Sequence, residues 1–249
     1  MEQGHSRNTA IGAWAAAGLL GGLIGSLAAV ALTELIKLSL AAASGLGPAA
    51  LRLLPLLGVG LAVLILFGLG RGQSVQTIAP RETPRPGLAP GSLAAWYSFP
   101  HDIARADLTG DVVNASGVEE RFPWNLAPLR ALAILATVGL GAPMGTESPA
   151  AHIGVATGSW LGSAVPALRT LARPLAIGGG AASVSALIGI PLVGSFFMAE
   201  LAARRQIPQS GPRAAAMLAG GLSGWAVNAA FQLNLIRLVV PRLPPAGFL

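Results

Sequence analysis

Apolar residues in this chain do not alternate with polar ones; they run in long blocks. Asn8 to Thr33 carries no formal charge, and its apolar character continues past Glu34 and Lys37 to about Ala43. Leu53 to Gly70 is the second block and Ala131 to Thr146 a short third one; Ser148 to Leu168, Pro174 to Ala199 and Ala214 to Ile236 complete the set. A helix rises about 1.5 Å per residue and the bilayer core is about 30 Å thick, so about 20 mostly apolar residues make one crossing. The blocks predict membrane helices, and the chain reads as an all-α integral membrane protein. The first block follows a single Arg7 and far exceeds a signal-peptide core, so it is expected to be a retained helix.

The block lengths are uneven. Ala131 to Thr146 is short for a crossing and ends in Gly141-Ala-Pro-Met-Gly145. Pro174 to Ala199 contains Gly178-Gly179-Gly180 and then Gly189-Ile190-Pro191, which predicts two helices rather than one straight rod. Irregular backbone at membrane depth is tolerated only where protein or a water-filled cavity surrounds it, and interrupted hydrophobic segments point to transport sites. The pattern therefore predicts broken, tilted helices of a permeation fold. Residues 71–130 are polar and hold most of the acids. Their first part, about 71–112, is expected to be an exposed loop between the second and third membrane segments of a single membrane domain, 1–249.

Composition sharpens this picture. Apolar residues make up 53% and charged residues 10%, against about a quarter charged in soluble chains. The 33 glycines and 19 prolines sit inside apolar runs, where they imply close helix packing and broken helices rather than disorder. The absence of cysteine excludes a disulfide scaffold, a cysteine nucleophile and thiolate metal sites. The net charge of +6 comes from bases scattered between apolar runs, so no nucleic-acid partner is expected; the partner implied is the lipid bilayer. Loop charges of both signs leave orientation open.

Glu147, in Met144-Gly-Thr-Glu-Ser-Pro149, is the acid embedded in an apolar context on both sides. A carboxylate near the bilayer centre costs about 2.5–3.5 kcal/mol on insertion scales, which makes it functional by default. Pro149 suits the first turn of a helix, and Gly145 is expected to let the backbone turn tightly before it. Thr146, Glu147 and Ser148 then fall at a helix N-terminus, where amides and the dipole favour an anion. Glu147 could occupy those amides itself or swing away and leave them to a diffusing anion, which describes a gate. Ser116-Gly117 precedes the third block and could present a hydroxyl and one or two amides, although such a pair by itself means only a turn or cap. His152 is expected to be a packed, hydrogen-bonded imidazole rather than a metal ligand, since no second ligand has suitable spacing. Asn228, Gln232 and Asn234 in the last block are expected to make interhelical hydrogen bonds. Neither a metal nor a cofactor is implied.

Several of these segments share a family resemblance. Met144-Gly-Thr-Glu-Ser-Pro-Ala-Ala-His-Ile-Gly154 resembles the Gly-[Arg/Lys]-Glu-Gly-Pro signature of the CLC chloride channels and transporters, and Ala115-Ser-Gly-Val-Glu-Glu120 is similar to that family's Gly-Ser-Gly-Ile-Pro-Glu. Ala176 to Glu200 resembles the block that follows, and Gly18-Leu-Leu-Gly-Gly-Leu-Ile-Gly25 fits the opening helix. The resemblance implies a chloride pathway of the voltage-gated, homodimeric kind in a multi-pass membrane protein of the bacterial inner-membrane type. It assigns Glu147 as the gate and Ser116, Gly117, Thr146, Glu147 and Ser148 as chloride-binding positions. Proton-coupled members commonly carry an acid where this chain has Leu201, so a passive anion pathway is the expectation.

The resemblance covers only the first of two inverted repeats. The second repeat's Gly-x-Phe-x-Pro loop and its site tyrosine are missing, because the sole tyrosine, Tyr97, lies in the polar stretch. The glycine spacing from Gly141 to Gly162 also resembles that of the second repeat. The expected partner is a second copy, in an antiparallel dimer or another homo-oligomer, or a separate chain carrying the missing repeat. A non-conducting structural or regulatory half is the alternative. An intramembrane enzyme is a second alternative, with Glu119-Glu120-Arg121 resembling the paired glutamates of membrane CAAX-type proteases and Ser116 with His152 a rhomboid-like dyad. In the first, Trp124 stands where the protease arginine would be; in the second, Ala115-Ser116 lacks the glycine elbow.

Overall fold

The computed structural model describes residues 2–69, 112, 127–204 and 206–231. Among these residues the secondary structure is helical: α1 (Glu2–Ser44), α2 (Pro48–Leu64) with a π-helical end (Ile65–Leu69), α3 (Ala127–Gly139), α4 (Glu147–Ala164), a 3-10 turn (Pro166–Leu171), α5 (Ala172–Ile188), α6 (Val193–Arg204) and α7 (Gly211–Phe231). Three segments are long and apolar enough to cross a membrane: Thr9–Ser44, Pro166–Ile188 and Gly211–Phe231.

The centre of the fold is α5, buried without interruption from Pro174 to Leu187. A helix buried all round must find room for its neighbours, and its three consecutive glycines provide it. A Cβ on Gly178 would collide with the backbone of Gly18 on α1, and one on Gly220 of α7 would collide with Gly178 in turn. One on Gly179 would strike Gly154 on α4, and one on Gly180 would lie 2.8 Å from Val155 of α4 and 3.1 Å from Met198 of α6. Together the three glycines admit α1, α4, α6 and α7, and small-residue contact of this kind is what drives helix association in lipid. Gly18, Gly21, Gly22 and Gly25 supply the matching face of α1. The triple glycine is a packing node inside one continuous helix; the break expected in this block lies further on.

That break spans Gly189 to Leu192. Gly189 takes the left-handed conformation (φ 75°) at the α5 C-cap, its N–H donating to the Ser185 carbonyl at 2.9 Å, and Leu192 is also left-handed (φ 63°). The Ser185 hydroxyl accepts from the Gly194 amide at 3.0 Å, satisfying the start of α6. The Asn228 amide nitrogen donates to the Ala186 carbonyl at 2.6 Å, which ties α7 to the end of α5 as expected; Gln232 and Asn234 lie outside the described residues. Other buried hydroxyls are satisfied by backbone, Ser26 on Gly22, Ser183 on Gly179, Ser223 on Gly220, and Ser195 across to Met217 on α7.

Register gives the directions. Gly18 meets Ala216 and Gly22 meets Gly220, so α1 and α7 run parallel, while Gly154 meets Ser183 and Gly162 meets Ala172, so α4 runs antiparallel to α5. α3 has 13 residues, about 20 Å, too short to cross. It packs Ile134 and Val138 on Leu32 and Ile36 of α1, and α2 lies against it through Ala62. The outer faces of α1 and α2 expose leucines such as Leu23, Leu27, Leu56 and Leu64, an apolar surface suited to lipid tails.

The glycine node makes a specific prediction. Gly154→Val would force a branched side chain into the backbone of α5 and is expected to cost about 1–3 kcal/mol. Gly60→Val, which enters open space on α2, is expected to stay within about 0.5 kcal/mol. Thermal unfolding of both variants in one detergent compares them.

Candidate functional site

Two short elements lead into the start of α4. α3 ends in a Schellman-type turn: Gly141 is left-handed (φ 89°), its N–H donates to Val138 O at 3.0 Å, and the Ala142 N–H donates to Thr137 O at 3.0 Å. Pro143 then bridges a tight turn closed by Met144 N–H to Ala142 O at 2.8 Å. The sequence expectation that Gly145 makes the tight turn is corrected here, because the left-handed glycine is Gly141. Gly145 matters for a different reason. A Cβ there would lie 2.9 Å from the Glu147 Oε2, so the missing side chain leaves room for the carboxylate to fold back over the backbone.

Thr146, Glu147 and Ser148 stand at the N-terminus of α4 as the sequence indicates, with Thr146 as N-cap and Pro149 in the first turn. The Thr146 side chain makes no capping hydrogen bond. The first helical bond is Ala150 N–H to Thr146 O at 2.9 Å, and Pro149 has no N–H, so the amides ahead of it belong to Thr146, Glu147 and Ser148. All three residues are half-buried. Among the described residues no hydrogen bond or ion pair holds the Glu147 carboxylate.

Depth follows from the packing. Ala150, one turn into α4, sits with Ala29 of α1 and Leu187 of α5. α1 continues 15 residues beyond Ala29 to Ser44, about 22 Å along its axis. The positive end of the α4 dipole therefore opens well inside the span of α1, where weak screening strengthens its pull on an anion.

Ser116 and Gly117, the other expected anion ligands, lie outside the described residues, as do Tyr97 and the Glu119-Glu120-Arg121 triplet. Val112, four residues ahead of Ser116, is buried in one cluster with Ala127 at the start of α3, Val155 of α4 and Met198 of α6. Ala127 of α3 thus reaches the same core as α4.

Sequence reasoning used Arg130 only as a block boundary, yet its side chain is 2% exposed on α3, and its charge bears on His152 of α4, which is fully buried. The packed imidazole matches expectation. Among the described residues no three metal-binding side chains come together. The signal for Arg130 was a lone arginine four residues into a short apolar helix. Glu200 is exposed at the far end and bonds Arg204 at 2.6 Å, while Leu201 packs against the core.

Comparison with known families gives a match of residues 91–245 to the family described as voltage gated chloride channel. No curated protein matches the chain.

The position of the Glu147 carboxylate over Gly145 can be checked by a double-mutant cycle on anion flux in liposomes. Gly145→Ala is expected to change the rate severalfold when Glu147 is present and to have no effect in a Glu147→Ala background, a coupling of about 1 kcal/mol. Additive effects would mean that the carboxylate does not rest there.

Proposed function

The chain belongs to the voltage gated chloride channel family, and from that membership we propose that it conducts small inorganic anions, chloride first among them, through a pathway gated by Glu147. The observation that supports this reading is the start of α4: half-buried beside α1, not capped by its own N-cap side chain, and faced by a carboxylate that no other group among the described residues holds. Such a carboxylate and a permeant anion compete for the same amides. With Glu147 on them the path is closed; with Glu147 displaced, the amides near Thr146, Glu147 and Ser148 receive the anion. Ser116 and Gly117 would supply the next hydroxyl and amide along the path. Binding by helix ends and hydroxyls rather than by a full cationic side chain is weak enough to let the ion leave.

The pathway needs a second half. One proposed source is a second copy of this chain in an antiparallel homodimer. The distribution of charge favours the other source, a separate chain carrying the second repeat. Arg169, Arg173, Arg204 and Arg213 gather at the end where α5 and α7 begin, whereas the opposite end of the described residues carries Lys37 and Arg52 beside Glu34 and Glu147. Such a bias supports one fixed orientation. Ser6 and Ser210 both lie at the arginine-rich end, so Ser44, at the other end of α1, supplies the second reporter.

Two measurements test these readings. Chloride efflux from liposomes is expected from the purified protein and is expected to change by about tenfold or more in Glu147→Gln, which removes the charge at constant shape. No flux in either, with folding confirmed, would leave a non-conducting half, and proton movement recorded in parallel is expected to be absent because position 201 is leucine. In intact cells, Ser44→Cys and Ser210→Cys are each expected to label from one side only, and from opposite sides. Labelling of Ser210→Cys from both sides would instead support the antiparallel homodimer.

A further inference from the structure

Arg213 is 6% exposed in the first turn of α7. Its Nη1 donates to the Pro208 carbonyl at 3.1 Å, which folds the guanidinium back under the exposed turn 208–211 that leads into the helix. Its Nε and Nη2 are buried and make no hydrogen bond. An unpaired, dry guanidinium is a costly arrangement, since removing a charge from water must be compensated by partners of opposite sign.

The surroundings point to an external partner. α5 and α7 run parallel in constant register, Gly178 beside Gly220, Ala182 beside Gly224 and Ala186 bonded to Asn228. Continued downwards, that register sets Arg213 level with Leu171, where the 3-10 turn Pro166–Leu171 runs on into α5. Arg173, in the first turn of α5 and half-buried, is the charge that bears on Arg213. Two cations thus meet where α7 begins and α5 follows its 3-10 turn. Glu200, an acid near this end, is already bonded to Arg204.

We propose that the paired N-terminal ends of α5 and α7 form a phosphate-binding site in which Arg213 and Arg173 share one phosphate group. Planar guanidinium forks match the several oxygens of a phosphate. The site lies at the opposite end of α5 from Glu147 and is independent of the gating proposal. Phosphate at this position can come from an anionic phospholipid headgroup, because basic pockets between membrane helices hold such headgroups, or from free inorganic phosphate.

The test uses the full chain purified in detergent. Native mass spectrometry counts retained phosphatidylglycerol against phosphatidylcholine, and the thermal midpoint is followed with added inorganic phosphate. Retention of phosphatidylglycerol identifies the headgroup as the source, and a phosphate-dependent rise in midpoint without lipid retention identifies the free ion. In either case Arg213→Gln and Arg173→Gln are each expected to weaken binding about tenfold, and Arg204→Gln to leave it unchanged. Arg173, being half-buried, keeps the test open should Arg213→Gln not fold. In the absence of both ligands, Arg213→Met is expected to be at least as stable as the unsubstituted protein. Binding of neither ligand, unchanged binding in Arg173→Gln, or equal weakening by Arg204→Gln would overturn the proposal.

Discussion

Close approach of backbones at Gly178, Gly179 and Gly180 is the constraint on which the remaining architecture depends. Lipid offers no hydrophobic drive for helices to associate, so stability comes from van der Waals contact and internal hydrogen bonds. Three glycines in succession open the surface of α5 to α1, α4, α6 and α7. The serines around this node bond to carbonyls of their own or a neighbouring helix. Their polarity is absorbed and the helices can touch. A single methyl at Gly178 or Gly179 would meet backbone, which cannot swing aside as a side chain can.

The same packing fixes where helices end. Because α4 is held by Gly154, Gly158 and Gly162 along α5, its N-terminus falls beside the interior of α1 rather than at its end. α3 brings Ala127 into the core cluster with Val112 and Val155. Helix starts sunk into low dielectric carry unspent positive potential, and that is the chemistry an anion pathway uses. The proposed anion pathway therefore draws on where α4 begins more than on any strongly cationic side chain beside Glu147.

Much of this was legible in the sequence. Block lengths identified the helices, the Gly189-Ile190-Pro191 run marked the break between α5 and α6, and Pro149 with Glu147 marked the start of α4. Asn228 read correctly as an interhelical donor. The role of Gly145 did not, since a glycine between proline and threonine gives the same local signal whether it turns the chain or makes room for a neighbouring carboxylate. Arg130 and Arg213 were also missed. Each borders an apolar block, where an arginine normally reaches back to water, and only the packing of other helices over them buries their charge.

Sequence by itself determined the membrane class, the helical segments, the acid most exposed to selection by an apolar environment and the family motifs. All of these depend on local composition and spacing, which a linear pattern records. Tertiary structure decided which glycines are contacts and which are turns, how deep α3 and α4 begin, and that four arginines gather at one end while Glu147 stands at the other. Those properties depend on the direction and register of helices far apart in the chain, and no local pattern carries that information.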